Sequence, residues 1–408
     1  MSEAGLLIAY QMELELIPER NRYEADMRIC VHNISGAPIE TLQLALGRVR
    51  ADLLRISGAC SMDGVREQRT ALAFRPAIPA GKTAEVALRF TADLPCSEHW
   101  GDDFYEFSTE SGWYPRPTVE PAQGCAFDVR ITVPEGFCVC ATGRREGDRW
   151  TAARATNFGF AASRAFPALS EEHDGMRFTC LYPLGAEQTA RSVIADAKEA
   201  VRFYRGLFGF YPTDAFNAIP GCENWGGGCP VATGVYQLHG MRRVNGPFPN
   251  DNWIICHELA HQYFGDTVDF TQLSWVWLML GLSLDHAYCA AKNRSMEPYA
   301  SFQRRLNEAI SLGKAAIPGD AARLRECLSD GSFDYNTNVL HAKAAAMALA
   351  LQKRVGSEAY FGMLRRYFEV FGCRTVSEET FIRFCECELK TPLRAVFERW
   401  LRENAYPE

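Results

Sequence analysis

The feature that most restricts the fold is a change of hydrophobic period after about Phe178. Before it, Gln11-Met12-Glu13-Leu14-Glu15-Leu16 and Met27-Arg28-Ile29-Cys30-Val31-His32 alternate with period two, as do residues 41–46, 85–90 and 127–133. Alternation gives each strand one apolar face, and such a face needs a second sheet to cover it. Asn33, Gly36, Pro38, Gly81 and Gly136 separate these runs as turns. Beyond the change, residues 187–208 place Val193, Ile194, Ala197, Val201 and Tyr204 on one side at helical spacing, and Phe208-Gly209-Phe210-Tyr211-Pro212 stops the helix. A glycine-rich loop at Gly221 and Gly226-Gly227-Gly228 follows, and Trp225 with the three glycines reads as a mobile loop over a cleft. Helical patterns then cover 299–312, 339–355, 358–371, 378–389 and 392–403. The expected class is α+β: an antiparallel β-sandwich over 1–172, then an α-rich domain over 173–408.

Composition narrows the function. Hydrophobic residues make up 47% and charged residues 23%, as in ordinary globular proteins. A net charge of −7 argues against nucleic acid or an acidic membrane as partner. Met1-Ser2-Glu3-Ala4-Gly5 offers no basic, apolar leader, and no run approaches the length of a membrane span. Fifteen cysteines, scattered without repeated spacing, read as reduced thiols in a cytoplasmic protein. Cys138 and Cys140, and Cys385 and Cys387, stand too close for ordinary disulfides.

The sharpest chemical signal is His257-Glu258-Leu259-Ala260-His261. Two histidines four apart project from one face of a helix and can grip one zinc ion, while the glutamate can take a proton from a metal-bound water. Trp253, Ile254 and Ile255 lead into the helix and Gly265 can close it. The competing reading is a coincidental helix with two hydrogen-bonded histidines. Downstream, Ser274 is the natural N-cap of a second helix containing Trp275 and Trp277-Leu278. Upstream stands Pro220-Gly221-Cys222-Glu223-Asn224.

Together these segments resemble the M1 family of zinc aminopeptidases, with its Gly-x-Met-Glu-Asn loop, His-Glu-x-x-His helix and Trp-Leu-Asn-Glu-Gly helix. Trp113-Tyr114-Pro115-Arg116, Asn157-Phe158-Gly159-Phe160 and Phe397-Glu398-Arg399-Trp400 extend the likeness along nearly the whole chain. The resemblance implies a thermolysin-like catalytic-type domain and zinc held by His257 and His261. It implies Glu258 as general base, and Glu223, with Asn224 and Gly221, as the reader of a peptide's free α-amine. An anion placed beside the metal selects for an ammonium group.

The chain departs from the family at the catalytic face. The third zinc ligand is a glutamate nineteen residues after the second histidine, and Leu280 stands there. The neighbouring asparagine is Met279, and an acidic position seven residues on is Ala287. Two imidazoles and waters leave zinc's full charge in an apolar pocket, so zinc binding is expected to be weak or absent. Asp285 lies about 140° from Leu280 around the helix and His286 about 120° the other way. Both read as solvent-facing. The tyrosine that donates to the oxyanion is matched by His341 in His341-Ala342-Lys343-Ala344, 84 residues after His257, with Tyr335 as a stand-in and a helix-surface histidine as the plain alternative.

Three readings follow. The first is a degenerate peptidase-like protein that binds peptide N-termini with impaired or absent hydrolysis. The second is an active zinc aminopeptidase, and the third a non-catalytic scaffold or interaction protein. The chain ends in residues 400–408, at the close of the family's catalytic domain, so a cleft open to solvent is expected. Oligomeric state and side-chain preference are not legible.

Overall fold

A computed structural model describes residues 5–50, 53–58, 60–62, 69–97, 101–108, 111–118, 124–221, 227–239, 241, 253–265, 267–270, 275–317 and 339–408. The chain is mixed α+β, with a multi-sheet β region first and a helical region after it. Contacts divide it into two compact units, residues 1–198 with 213–249 and residues 199–212 with 250–408.

In the first unit the alternating runs become long strands. Leu6–Ile17 buries Leu6, Ile8, Tyr10, Met12, Leu14 and Leu16 while Gln11, Glu13 and Glu15 face out. It sits inside a seven-stranded sheet ordered Arg144–Glu146, Arg149–Ala155, Cys125–Thr132, Leu6–Ile17, Arg22–Asn33, Thr83–Asp93, Arg55–Gly58. Every pairing in that sheet is antiparallel except the one between Leu6–Ile17 and Cys125–Thr132. A four-stranded sheet (Arg116–Pro117, Ile39–Ala45, Arg69–Ile78, Cys60–Met62) shares its apolar core, where Leu42, Leu44, Leu72 and Phe74 join Met12, Met27 and Val86. Two of the aromatic fragments noted in the sequence, around Trp113 and around Phe158, meet in this core. Trp113 Nε1 donates to Phe158 O at 3.1 Å, and the Phe107 and Phe160 rings stack with centroids 4.0 Å apart.

A five-stranded sheet, ordered Ala168–His173, Met176–Leu181, Ala215–Pro220, Val235–His239, Gly227–Ala232, was not visible as alternation. All six residues of Ala215–Pro220 are buried, and its neighbours on both sides pair parallel to it. A strand covered on both faces carries a continuous apolar run without period two. Gly227 and Gly228 therefore belong to a strand, not to the expected loop, while Trp225 and Gly226 lie outside the described residues.

Helix α1 (Glu187–Phe208) has the bounds expected from its periodicity. The second unit continues with α2 (Trp253–His261), α3 (Val276–Ala291), α4 (Glu297–Ser311), α5 (Val339–Val355), α6 (Ser357–Phe371), α7 (Glu378–Leu389) and α8 (Arg394–Arg402). Helices α2 and α3 are apolar nearly all round and form its centre, with α3 packed on both α2 and α5. Tyr204 and Tyr211 donate to the Cys256 and Leu259 carbonyls, which ties α2 to the segments before it. On α5 the fully buried Lys343 gives hydrogen bonds of 2.6 Å to the carbonyls of Ala315 and Glu403. The Ser377 hydroxyl caps α7 by accepting from the Thr380 N–H. Cys138, Cys140, Cys385 and Cys387 are free thiols. No described helix is long and apolar enough to cross a membrane.

Candidate functional site

Helical spacing of four brings His257 and His261 together on α2, and their Nε2 atoms face each other at 3.0 Å. Each ring is held from behind through Nδ1. His261 Nδ1 donates to the Phe264 carbonyl at 3.0 Å, and His257 Nδ1 shares a 2.5 Å hydrogen bond with Asp285 Oδ2. Trp253 stacks on the His257 ring at 4.9 Å, and Trp277 lies 4.8 Å from the His261 ring. Trp277, Gly281 and Asp285 succeed one another every four residues along α3, forming the row that runs beside α2. Only glycine fits in the middle of that row. A Cβ on Gly281 would stand 2.5 Å from His261 Cε1 and 2.7 Å from its Nδ1.

The structure corrects the expectation for Asp285. Far from facing solvent, it is 0% exposed and bonded to His257. The angle measured from Leu280 holds, but the face packed against α2 is set by Gly281, which brings Asp285 to His257 one turn later. His286 is half-buried, with its ring edge-on to Tyr299 at 4.7 Å. It too is not a freely solvated side chain. Leu280 is fully buried. Asp285, Gly281 and Trp253 are thus residues that reasoning from the sequence did not assign. The signal for Gly281 and Asp285 was the spacing 277, 281, 285 opposite the two histidines, and for Trp253 its place four residues before His257.

Burial dominates the electrostatics. It favours neutral forms, so the Asp285 carboxyl is raised well above its ordinary range and the His257 and His261 imidazoles are lowered. Glu258, 2% exposed, is pushed up to about 8 by burial, with the Asp285 charge adding to it. His341, near the start of α5, stacks on Phe302 with centroids 6.3 Å apart and is lowered to about 4 by burial, then by His257 and Arg305. The residue is half-buried, with its Nδ1 enclosed. Glu258 Oε2, Trp253 Nε1 and His341 Nδ1 are buried and have no hydrogen-bond partner among the described residues. Buried polar atoms of this kind call for a polar ligand or water.

Two converging Nε2 atoms, each with its Nδ1 held by an outer partner, suit two of the donors of a zinc site. No anionic third donor stands with them among the described residues. Among the described residues no three His, Cys, Asp or Glu side chains are grouped to hold a metal, and Asp285 spends its contact on Nδ1, behind the ring. The described residues therefore do not complete a three-ligand zinc cage. Gly221 ends the strand Ala215–Pro220 in the first unit, where its N–H donates to Leu238 O at 2.9 Å. A Cβ there would stand 2.5 Å from His239 Nδ1, so the backbone passes close against that ring. Glu223, Asn224, Ser274 and Tyr335 lie outside the described residues. Helix α2 closes at His261, and Gly265 follows in the loop with φ +126°.

A buried His-Glu-x-x-His helix lying along a second helix, preceded by a β region, defines a metallopeptidase-like fold. The Peptidase family M1 domain matches residues 223–400. Aminopeptidase M1-A of Oryza sativa subsp. japonica is 27% identical over 160 residues, 38% of this chain and 18% of the relative. Aminopeptidase N of Lactococcus lactis subsp. lactis is 23% identical over 235 residues, 54% of this chain and 27% of the relative. The chain thus spans less than a third of the length of these relatives. The M1 zinc metallopeptidase of Deinococcus radiodurans shares the fold, with a TM-score of 0.70 at 17% identity, covering 99% of this chain and 96% of that one. A variant of it bound to a Tyr-Ser-Ala substrate gives a TM-score of 0.71 at 16% identity, with the same coverage. Residues 223–400 thus match the Peptidase family M1 domain, and the chain has the fold of an M1 zinc metallopeptidase.

Proposed function

We propose that this chain is an M1 aminopeptidase-like protein with an incomplete zinc site, which binds the free N-terminus of peptides and hydrolyses them poorly or not at all. The observation that carries this reading is Leu280: a fully buried aliphatic side chain stands where the third ligand is expected. The described residues group no other donor with His257 and His261. In this reading Glu223, with Asn224 and Gly221, takes the peptide ammonium. Glu258 and His341 are the residues left at the reacting centre, and their unpartnered polar atoms favour binding of a polar group. A relative of the same fold bound to Tyr-Ser-Ala supports a short peptide as the class of ligand. The free, mostly buried cysteines support a cytoplasmic location, and the charge of −7 weighs against nucleic acid and acidic membranes.

Two measurements test this. Metal analysis of the purified chain should find well below one zinc per molecule. Thermal shift with short free-amine peptides should show stabilisation that the N-acetylated peptides do not give. One tightly held zinc per chain, or equal response to both peptide sets, refutes the reading.

A further inference from the structure

If no metal joins the two histidines, something else must satisfy four ring nitrogens in a site with almost no access to water. His257 is 6% exposed, His261 1% and Asp285 0%. The contacts already form a line: Asp285 Oδ2 to His257 Nδ1 at 2.5 Å, His257 Nε2 to His261 Nε2 at 3.0 Å, and His261 Nδ1 to Phe264 O at 3.0 Å. Its direction can be worked out from the end that has no choice. A backbone carbonyl only accepts, so His261 Nδ1 carries a proton. Neutral His261 then offers a lone pair at Nε2, and the 3.0 Å contact requires the proton on His257 Nε2. One proton remains for the contact between His257 Nδ1 and Asp285, and the two groups share it. Every ring nitrogen is then satisfied, and the line as a whole is neutral.

We propose that Asp285, His257, His261 and the Phe264 carbonyl form a closed hydrogen-bonded chain that stands in the place of the metal and ties α3 to α2. This rests on the incomplete-site reading above and adds what replaces the ion. Gly281 is part of the same device, because its missing side chain lets α3 approach the His261 ring closely enough for Asp285 to reach His257. A metal bound by both Nε2 atoms needs the other tautomer of His257, with Nε2 bare and the proton on Nδ1. The two arrangements therefore differ at one observable atom.

The test is long-range proton–nitrogen NMR on the full chain labelled with nitrogen-15 histidine, with excess chelator and with one equivalent of zinc. Signals are assigned through His257→Gln and His261→Gln. The expected result is opposite protonation of the facing atoms, with Nε2–H on His257 and bare Nε2 on His261, unchanged by chelator or zinc. Two bare Nε2 atoms in the chelated protein overturn the chain, as does a stoichiometric zinc shift of both rings. Asp285→Asn can still donate to Nδ1 and should keep the His257 signal and a near-native Tm, whereas Asp285→Ala should lose the signal and several degrees. Equal loss in both variants also overturns it. Failure of peptides to bind would remove the N-terminus reading but leave this result standing. Two bare Nε2 atoms without bound zinc would remove the chain but leave the incomplete site.

Discussion

On the incomplete-site reading proposed above, Leu280→Glu should make the stability of the protein depend on zinc. Leu280 is 0% exposed, so Leu280→Glu first removes a buried leucine, a loss of about 1.5–3 kcal/mol. It then places a carboxyl where nothing in the described structure pairs with it, at a further cost of about 1–3 kcal/mol even when it stays protonated. Without metal the variant should therefore be less stable by about 3–5 kcal/mol, a large share of a typical domain's stability. Zinc changes this, because the new carboxylate can complete a His₂Glu set with the two Nε2 atoms that lie 3.0 Å apart. At a zinc concentration a hundred times Kd, binding returns about 2.7 kcal/mol. Guanidinium unfolding of both proteins, with chelator and with added zinc, reads both effects. The variant should recover most of its loss with zinc, and the unaltered chain should shift little. A variant as stable as the parent without zinc, or a parent that gains as much from zinc as the variant, would refute the placement of residue 280.

Other outcomes follow from the same site. Burial raises Glu258 from its ordinary 4.5 to about 8, so between these values the folded protein holds a proton that the unfolded chain has released. Its contribution to stability is full below about pH 4.5 and lost as pH rises through about 8, and Glu258→Gln should flatten that alkaline decline in unfolding curves. His341 is lowered from 6.5 to about 4, so its contribution is present above 6.5 and lost as pH falls through about 4. His341→Gln should flatten the acid side, and an unchanged acid limb would place the imidazole in solvent. Gly281→Ala should cost about 1–3 kcal/mol in urea unfolding, since the new Cβ meets the His261 ring at 2.5 Å. A midpoint equal to the parent's would show that α3 can move away freely.

Much of this protein is determined by local pattern. Period-two alternation marked four strands of the seven-stranded sheet because each has one buried and one solvated face, as residues 11–16 show. Helical spacing gave α1 and α7 their bounds for the same reason, and the bounds of α5 were also those expected. The two histidines were legible because four residues of helix bring any such pair together, whatever surrounds it. Leu280 was legible as a departure because identity at a fixed spacing is a property of the chain alone.

The rest depended on what packs against what. Ala215–Pro220 is covered on both faces, which erases the alternation that would have announced a strand. Asp285 looked exposed when its direction was measured from Leu280, since an angle on one helix says nothing about which side the next helix occupies. Gly281 decides that side: it lets α3 lie against the His261 ring and carries Asp285 to His257. The sequence alone determined which groups could act. Only tertiary packing decided that Asp285 stands behind the His257 ring, at Nδ1.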